Sequence, residues 1–122
     1  MRIEELYRPE VVAADIDESL GDVASQMQFS EVGSLAIFAD HGFIGIITER
    51  DLARAIADGV DPQDTLAGEY MTEHPVAVDL DSEVADAVKL MLELGIRHLP
   101  VMDGGKIVGM LSARDLLVDV VG

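Results

Sequence analysis

Residues 45–52 read GIITERDL and residues 109–116 read GMLSARDL, so one octapeptide is written twice, at an offset of 64, in a chain of 122 residues. Sliding the chain over itself by that offset lays 11–57 on 75–121 without a gap. Val12 and Ala13 fall on Val76 and Ala77, Asp15 and Asp17 on Asp79 and Asp81, Asp22 on Asp86, Met27 on Met91, and Leu35 on Leu99. A half of about 60 residues is marginal as an independent fold. Duplication at this length therefore predicts two related halves sharing one core.

The hydrophobic pattern repeats with the residues. Leu20, Val23, Ala24 and Met27 stand at i, i+3, i+4, i+7, one face of a helix, and so do Val84, Ala87, Val88 and Met91. Short polar residues able to cap precede both, at 17–19 and at Asp81 and Ser82. Apolar runs at 35–38 and 99–102 lead into turns at 39–42 and 103–106, rich in Gly and Asp, and then into further runs at 43–47 and 107–111, the signature of a hairpin. Leu52, Ala53, Ile56 and Ala57, and likewise Leu116, Leu117, Val120 and Val121, make a last helical face, wide enough for part of it to pack on a partner chain. With first strands near 11–14 and 76–78, each half reads βαββα. The fold class expected is mixed α+β (α/β), two pseudo-symmetric repeats packed as one module. Residues 1–60 form the first domain, 61–67 an Asp- and Pro-containing linker, and 68–122 the second domain, with a short helical turn around 67–71.

Bulk properties narrow the function. Eight Lys and Arg against 24 Asp and Glu give a formal net charge of −16, which opposes binding to nucleic acid or to an anionic membrane surface. There is no Cys, so disulfides, thiolate metal sites and a Cys nucleophile are excluded. No apolar run suits a signal peptide or a membrane span, and a cytoplasmic location is expected. His41 and His74 have no second ligand at metal spacing. No Ser-His-Asp order, metal-ligand cluster or phosphate-cradling Gly loop suggests an enzyme.

The octapeptide admits two readings. Thr48-x-x-Asp51 and Ser112-x-x-Asp115 fit a capping box at a strand-to-helix junction. Two details weigh against a purely structural role. Asp is shorter than the Glu or Gln the reciprocal box prefers. Gly45 and Gly109 fall inside strands, where glycine costs stability unless something must approach the backbone. The alternative is a ligand corner. A helix N-terminus offers free N–H groups to an anion, a hydroxyl there can donate to it, and an Asp one turn in can accept from both hydroxyls of a ribose cis-diol.

The chain from about residue 11 to 121 resembles a tandem pair of cystathionine β-synthase (CBS) domains, the Bateman module. The two octapeptides carry the resemblance, with RHLPV at 97–101 and GEYMTEHPVAV at 68–78. It implies no catalysis and no obligatory cofactor. It implies a regulatory module that binds AMP, ADP, ATP or S-adenosylmethionine, with or without Mg²⁺, in clefts between the two repeats. It also implies a homodimer and signalling to a separate effector protein. Transferred to matching positions, Thr48 and Asp51 serve one cleft with Ile46 beside the base. Ser112 and Asp115 serve the other, with Met110 beside the base. The opening strand of the opposite half adds Thr72 and Val76 to the first cleft and Val12 to the second.

The halves differ where the family often places basic side chains against phosphates. The second half has Arg97 and His98; the first has Gly33 and Ser34, and Ala36 in place of Pro100. The Ser112/Asp115 corner is thus expected to be the better nucleotide site. Arg97, His98, Arg50 and Arg114 also suit ordinary surface or packing roles, and Pro100, which lacks an N–H, marks an edge strand or an irregular segment. A dimerisation scaffold with no physiological ligand is the competing reading.

Overall fold

In a computed structural model the described residues are 1–121, with side chains through Leu117. They form β1 (Ala13–Asp15), α1 (Leu20–Ser30), β2 (Ser34–Ala39), β3 (Gly42–Thr48), α2 (Glu49–Ala57), α3 (Ala67–Tyr70), β4 (Thr72–Glu73), β5 (Val78–Asp79), α4 (Val84–Leu94), β6 (His98–Asp103), β7 (Lys106–Ser112) and α5 (Ala113–Val121). The repeat expected from sequence is present as two βαββα elements, and its detail extends to irregularities. Both hairpins shift register at equivalent points, between Ile37 and Phe38 and between Val101 and Met102. Both first helices end on a left-handed residue, Glu31 (φ 55°) and Gly95 (φ 66°).

Two units are distinct, 12–75 and a second made of 1–11 with 76–122. In the first, β1 runs parallel to β2, β2 antiparallel to β3, and β3 antiparallel to β4, giving the order β1-β2-β3-β4. In the second the order is β5-β6-β7. The buried residues include one hydrophobic cluster within each unit. Leu20, Val23, Met27, Leu35, Ile37 and Ile47 centre one cluster; Ile3, Val78, Ala87, Met91, Leu99, Val101 and Leu111 form another. Each sheet has a helix of its own covering one face, α1 in the first unit and α4 in the second.

The segment that completes each sheet was not visible in the duplicated region. Thr72 pairs with Ile46, and Arg8 makes the same antiparallel bridge to Met110, with N–H to O=C distances of 3.0 and 3.2 Å. Positions 1–11 therefore repeat 65–75. Glu5 accepts from the Arg2 amide (2.7 Å) as Glu69 accepts from the Leu66 amide (2.8 Å), and Ile3 and Ala67 are both fully buried.

This strap explains the strand glycines. A Cβ on Gly45 would lie 2.6 Å from the Thr72 carbonyl oxygen; one on Gly109 would overlap the Arg8 carbonyl and lie 2.6 Å from the Tyr7 ring. What approaches the backbone there is the chain itself.

Two other expectations change. Pro100 is buried in β6, the middle strand of its sheet, not at an edge. In the other unit the Ala36 amide donates to the Val12 carbonyl at 2.9 Å. Pro100 has no such proton, so β5 starts later than β1, at Val78, and the sheet tolerates the proline. On α2, Asp51 and Ala55 are buried and Leu52 half-buried, whereas Ala53, Ile56 and Ala57 are exposed. Capping turns Asp51 inward and carries Ala55, one turn on, with it. In α1, Ala24 is exposed at the margin of its expected face. The side chains of Val120 and Val121 lie outside the described residues.

Candidate functional site

Strand alternation sets the face each corner occupies. Leu99, Val101 and Leu111 point into their core, which leaves His98, Pro100, Met110 and Ser112 on the opposite face. His98 stands across from Ser112 and Pro100 across from Met110. The other unit places Ser34 across from Thr48 and Ala36 across from Ile46, with Leu35, Ile37 and Ile47 in the core.

At the end of each hairpin the chain enters a helix through a reciprocal cap. The Thr48 amide donates to Asp51 Oδ2 at 2.8 Å, and the Asp51 amide donates to Thr48 Oγ1 at 3.4 Å. The Ser112 amide donates to Asp115 Oδ2 at 2.8 Å, and the Asp115 amide to Ser112 Oγ at 3.3 Å. Asp is therefore long enough to close the box, against the expectation from its length. Both carboxylates fold back onto their own backbone, and the structural reading of the octapeptide is realised in both copies.

The cap uses only Oδ2, and the corners differ in what remains. Asp51 is buried; its Oδ2 also accepts from Thr48 Oγ1 (3.1 Å), and its Oδ1 lies 3.3 Å from Arg54 Nη1. Asp115 is half-buried, and its Oδ1 has no hydrogen-bond or ion-pair partner among the described residues. Beside the Ser112 corner stand exposed Arg97, whose carbonyl accepts from the Ala113 amide at 2.9 Å, and half-buried His98. Arg8 is carried to the edge next to Met110 by its backbone bridge.

The structure thus brings Ile46, Thr48, Asp51 and Thr72 together in the unit that also holds Val12. It brings Arg97, His98, Met110, Ser112 and Asp115 together in the unit that holds Val76. Val12 ends just before β1 with its carbonyl engaged by Ala36; Val76, just before β5, is 45% exposed. Sequence reasoning missed Tyr7 and Arg8, the counterparts of Met71 and Thr72. The shared Glu5 and Glu69 were the signal, had the 64-residue offset been followed back to the N-terminus.

Charge is uneven between the units. Of the eight basic residues, only Arg50 and Arg54 belong to 12–75; Arg2, Arg8, Lys89, Arg97, Lys106 and Arg114 belong to the other unit. Among the described residues no group of three or more His, Asp or Glu could hold a metal ion, and no helix is long and apolar enough to cross a membrane.

Comparison with known proteins gives these features a context. The chain is 36% identical over 116 residues to an uncharacterized protein of Methanopyrus kandleri, covering 93% of this chain and 59% of that protein, so it spans well under two thirds of that relative's length. A crystal structure of a CBS domain aligns over 100% of this chain and 98% of its own, with TM-score 0.92 and 33% identity. A CBS domain protein from Pyrobaculum aerophilum, solved in complex with AMP, aligns over 99% and 98% with TM-score 0.88 and 27% identity. The CBS domain model matches residues 3–58 and again 67–122, and the chain belongs to the CBS domain family as a tandem pair.

Proposed function

We propose that this chain is a non-catalytic regulatory module that binds an adenosyl ligand (AMP, ADP, ATP or S-adenosylmethionine, with or without Mg²⁺) and passes its occupancy to an effector protein. The observation that carries the reading is the spare Oδ1 of Asp115, held by its cap at a helix N-terminus. That oxygen can accept from a ribose diol while Oδ2 keeps the cap. Ser112 supplies a hydroxyl, Met110 an apolar side chain for a base, and Arg97, His98 and Arg8 the basic side chains for phosphate. Thr48, Asp51, Ile46 and Thr72 are the corresponding positions for a second ligand. The relative from Pyrobaculum aerophilum was solved with AMP, and this supports the ligand class.

Calorimetric titration with AMP tests the assignment. A charge-assisted hydrogen bond to a diol is worth about 1.5–3 kcal/mol, so Asp115→Ala should weaken AMP by roughly 10- to 100-fold, while Asp51→Ala leaves affinity nearly unchanged. Equal losses in both variants would overturn the preference for the Asp115 corner.

A second reading, a homodimerising scaffold without a ligand, is favoured by exposed apolar side chains: Phe29 at 88%, Leu92 at 79%, Ile56 at 71% and Leu117 at 61%. It predicts a dimer in sedimentation and no change in melting temperature with AMP, whereas a ligand of the native state raises it.

A further inference from the structure

Within residues 12–75 a chain of side chains runs away from the octapeptide corner. Arg54, one turn into α2, reaches back to Asp51 Oδ1 at 3.3 Å. Its Nη2 donates to the Tyr70 carbonyl at 3.1 Å, and its guanidinium lies 5.4 Å from the centre of the Tyr70 ring. The Tyr70 hydroxyl in turn donates to Asp58 Oδ2 at 2.7 Å. Arg54 is therefore held on three sides, by a carboxylate, a carbonyl and an aromatic face, and both oxygens of Asp51 are engaged.

The other unit cannot build this device. The offset of 64 sets Val118 against Arg54 and Leu6 against Tyr70, so neither the guanidinium nor the phenol is present. Two near-identical octapeptides thus end in carboxylates of different availability.

We infer that Arg54 is an internal competitor for the diol: it occupies the oxygen of Asp51 that a ribose would use, and restricts the chain to one adenosyl ligand. This rests on the proposed function, since it assumes that the corner chemistry is diol recognition. Arg54 is a specificity-determining residue because it neutralises the acceptor, with no direct contact to ligand required. Its removal opens a second site.

The test is AMP stoichiometry by calorimetry on the full chain, for wild type, Arg54→Met, Asp115→Ala and the Arg54→Met/Asp115→Ala pair. At AMP concentrations that saturate only a site of wild-type affinity, the expected values are one, two, none and one ligand per chain. Methionine keeps helix propensity and the aliphatic stem, and Arg54→Gln serves if circular dichroism shows the first variant misfolded. One site in wild type and still one in Arg54→Met sinks the competitor while leaving the regulatory reading intact, and two sites in wild type do the same. None in wild type and one in Arg54→Met keeps the competitor and removes the Asp115 site. None in either removes both.

Discussion

Asp51 shows how a capping residue keeps a second oxygen that the cap itself does not use. A carboxylate has two oxygens, and a capping box needs only one. On the proposed function the octapeptide does not force a choice between cap and ligand: whatever meets the second oxygen decides, and that lies outside the motif. This is why the sequence made the corner legible but not its state: Thr48, Asp51, Ser112 and Asp115 were found from spacing alone, whereas Arg54 and Tyr70 come from a helix turn and a segment 16 residues apart whose meeting depends on the fold. Tyr70 offers a direct readout of that network. Its hydrogen bond to Asp58 holds the phenol in its protonated, donating form and raises its pKa above the usual 10. The folded state binds this proton more tightly than the unfolded chain, so the contribution is present below about pH 10 and is lost as pH rises through the folded value. In a Tyr7→Phe background, absorbance titration should place Tyr70 above an exposed tyrosine, and Asp58→Ala should lower it; an unchanged midpoint in Asp58→Ala would remove the network.

At the scale of elements, periodicity predicted both helices and both hairpins, and failed where a neighbour overrode it. The apolar residues of α2 promised a buried face through Ile56, yet the cap rotates Asp51 and Ala55 inward. Pro100 pointed to an edge strand or an irregular segment; β6 lies between β5 and β7, where proline removes only one bond that β5 would have made. Pro100→Ala restores a donor, and its new amide should bond the Val76 carbonyl as Ala36 does Val12, lengthening β5. Hydrogen exchange should find the amide introduced at position 100 protected at a level near that of Ala36. Rapid exchange there would mean that the short β5 has another cause.

For the molecule as a whole, the repeat was legible over 11–57 and 75–121, but its closure was not, because 1–10 share almost no identities with 65–74. Geometry preserved what sequence did not: a buried residue at Ile3 or Ala67, a Glu cap at 5 or 69, and a backbone bridge at 8 or 72. Ile3 is fully buried in the cluster of Leu99, Val101 and Leu111. Ile3→Ala should cost about 2–5 kcal/mol, seen as a lowered urea midpoint, and a loss under about 0.5 kcal/mol would deny this segment its place in that core. The order of the chain then sets an order of events during translation. Everything needed by 12–75 has been synthesised once Pro75 is added, whereas residues 1–11, though made before them, must wait for the hairpin that ends at Ser112 before they can dock. A stretch that leaves the ribosome early is thus among the last to find its place, and any slowing of synthesis past Pro75 prolongs the interval in which Ile3 and Tyr7 remain open to solvent.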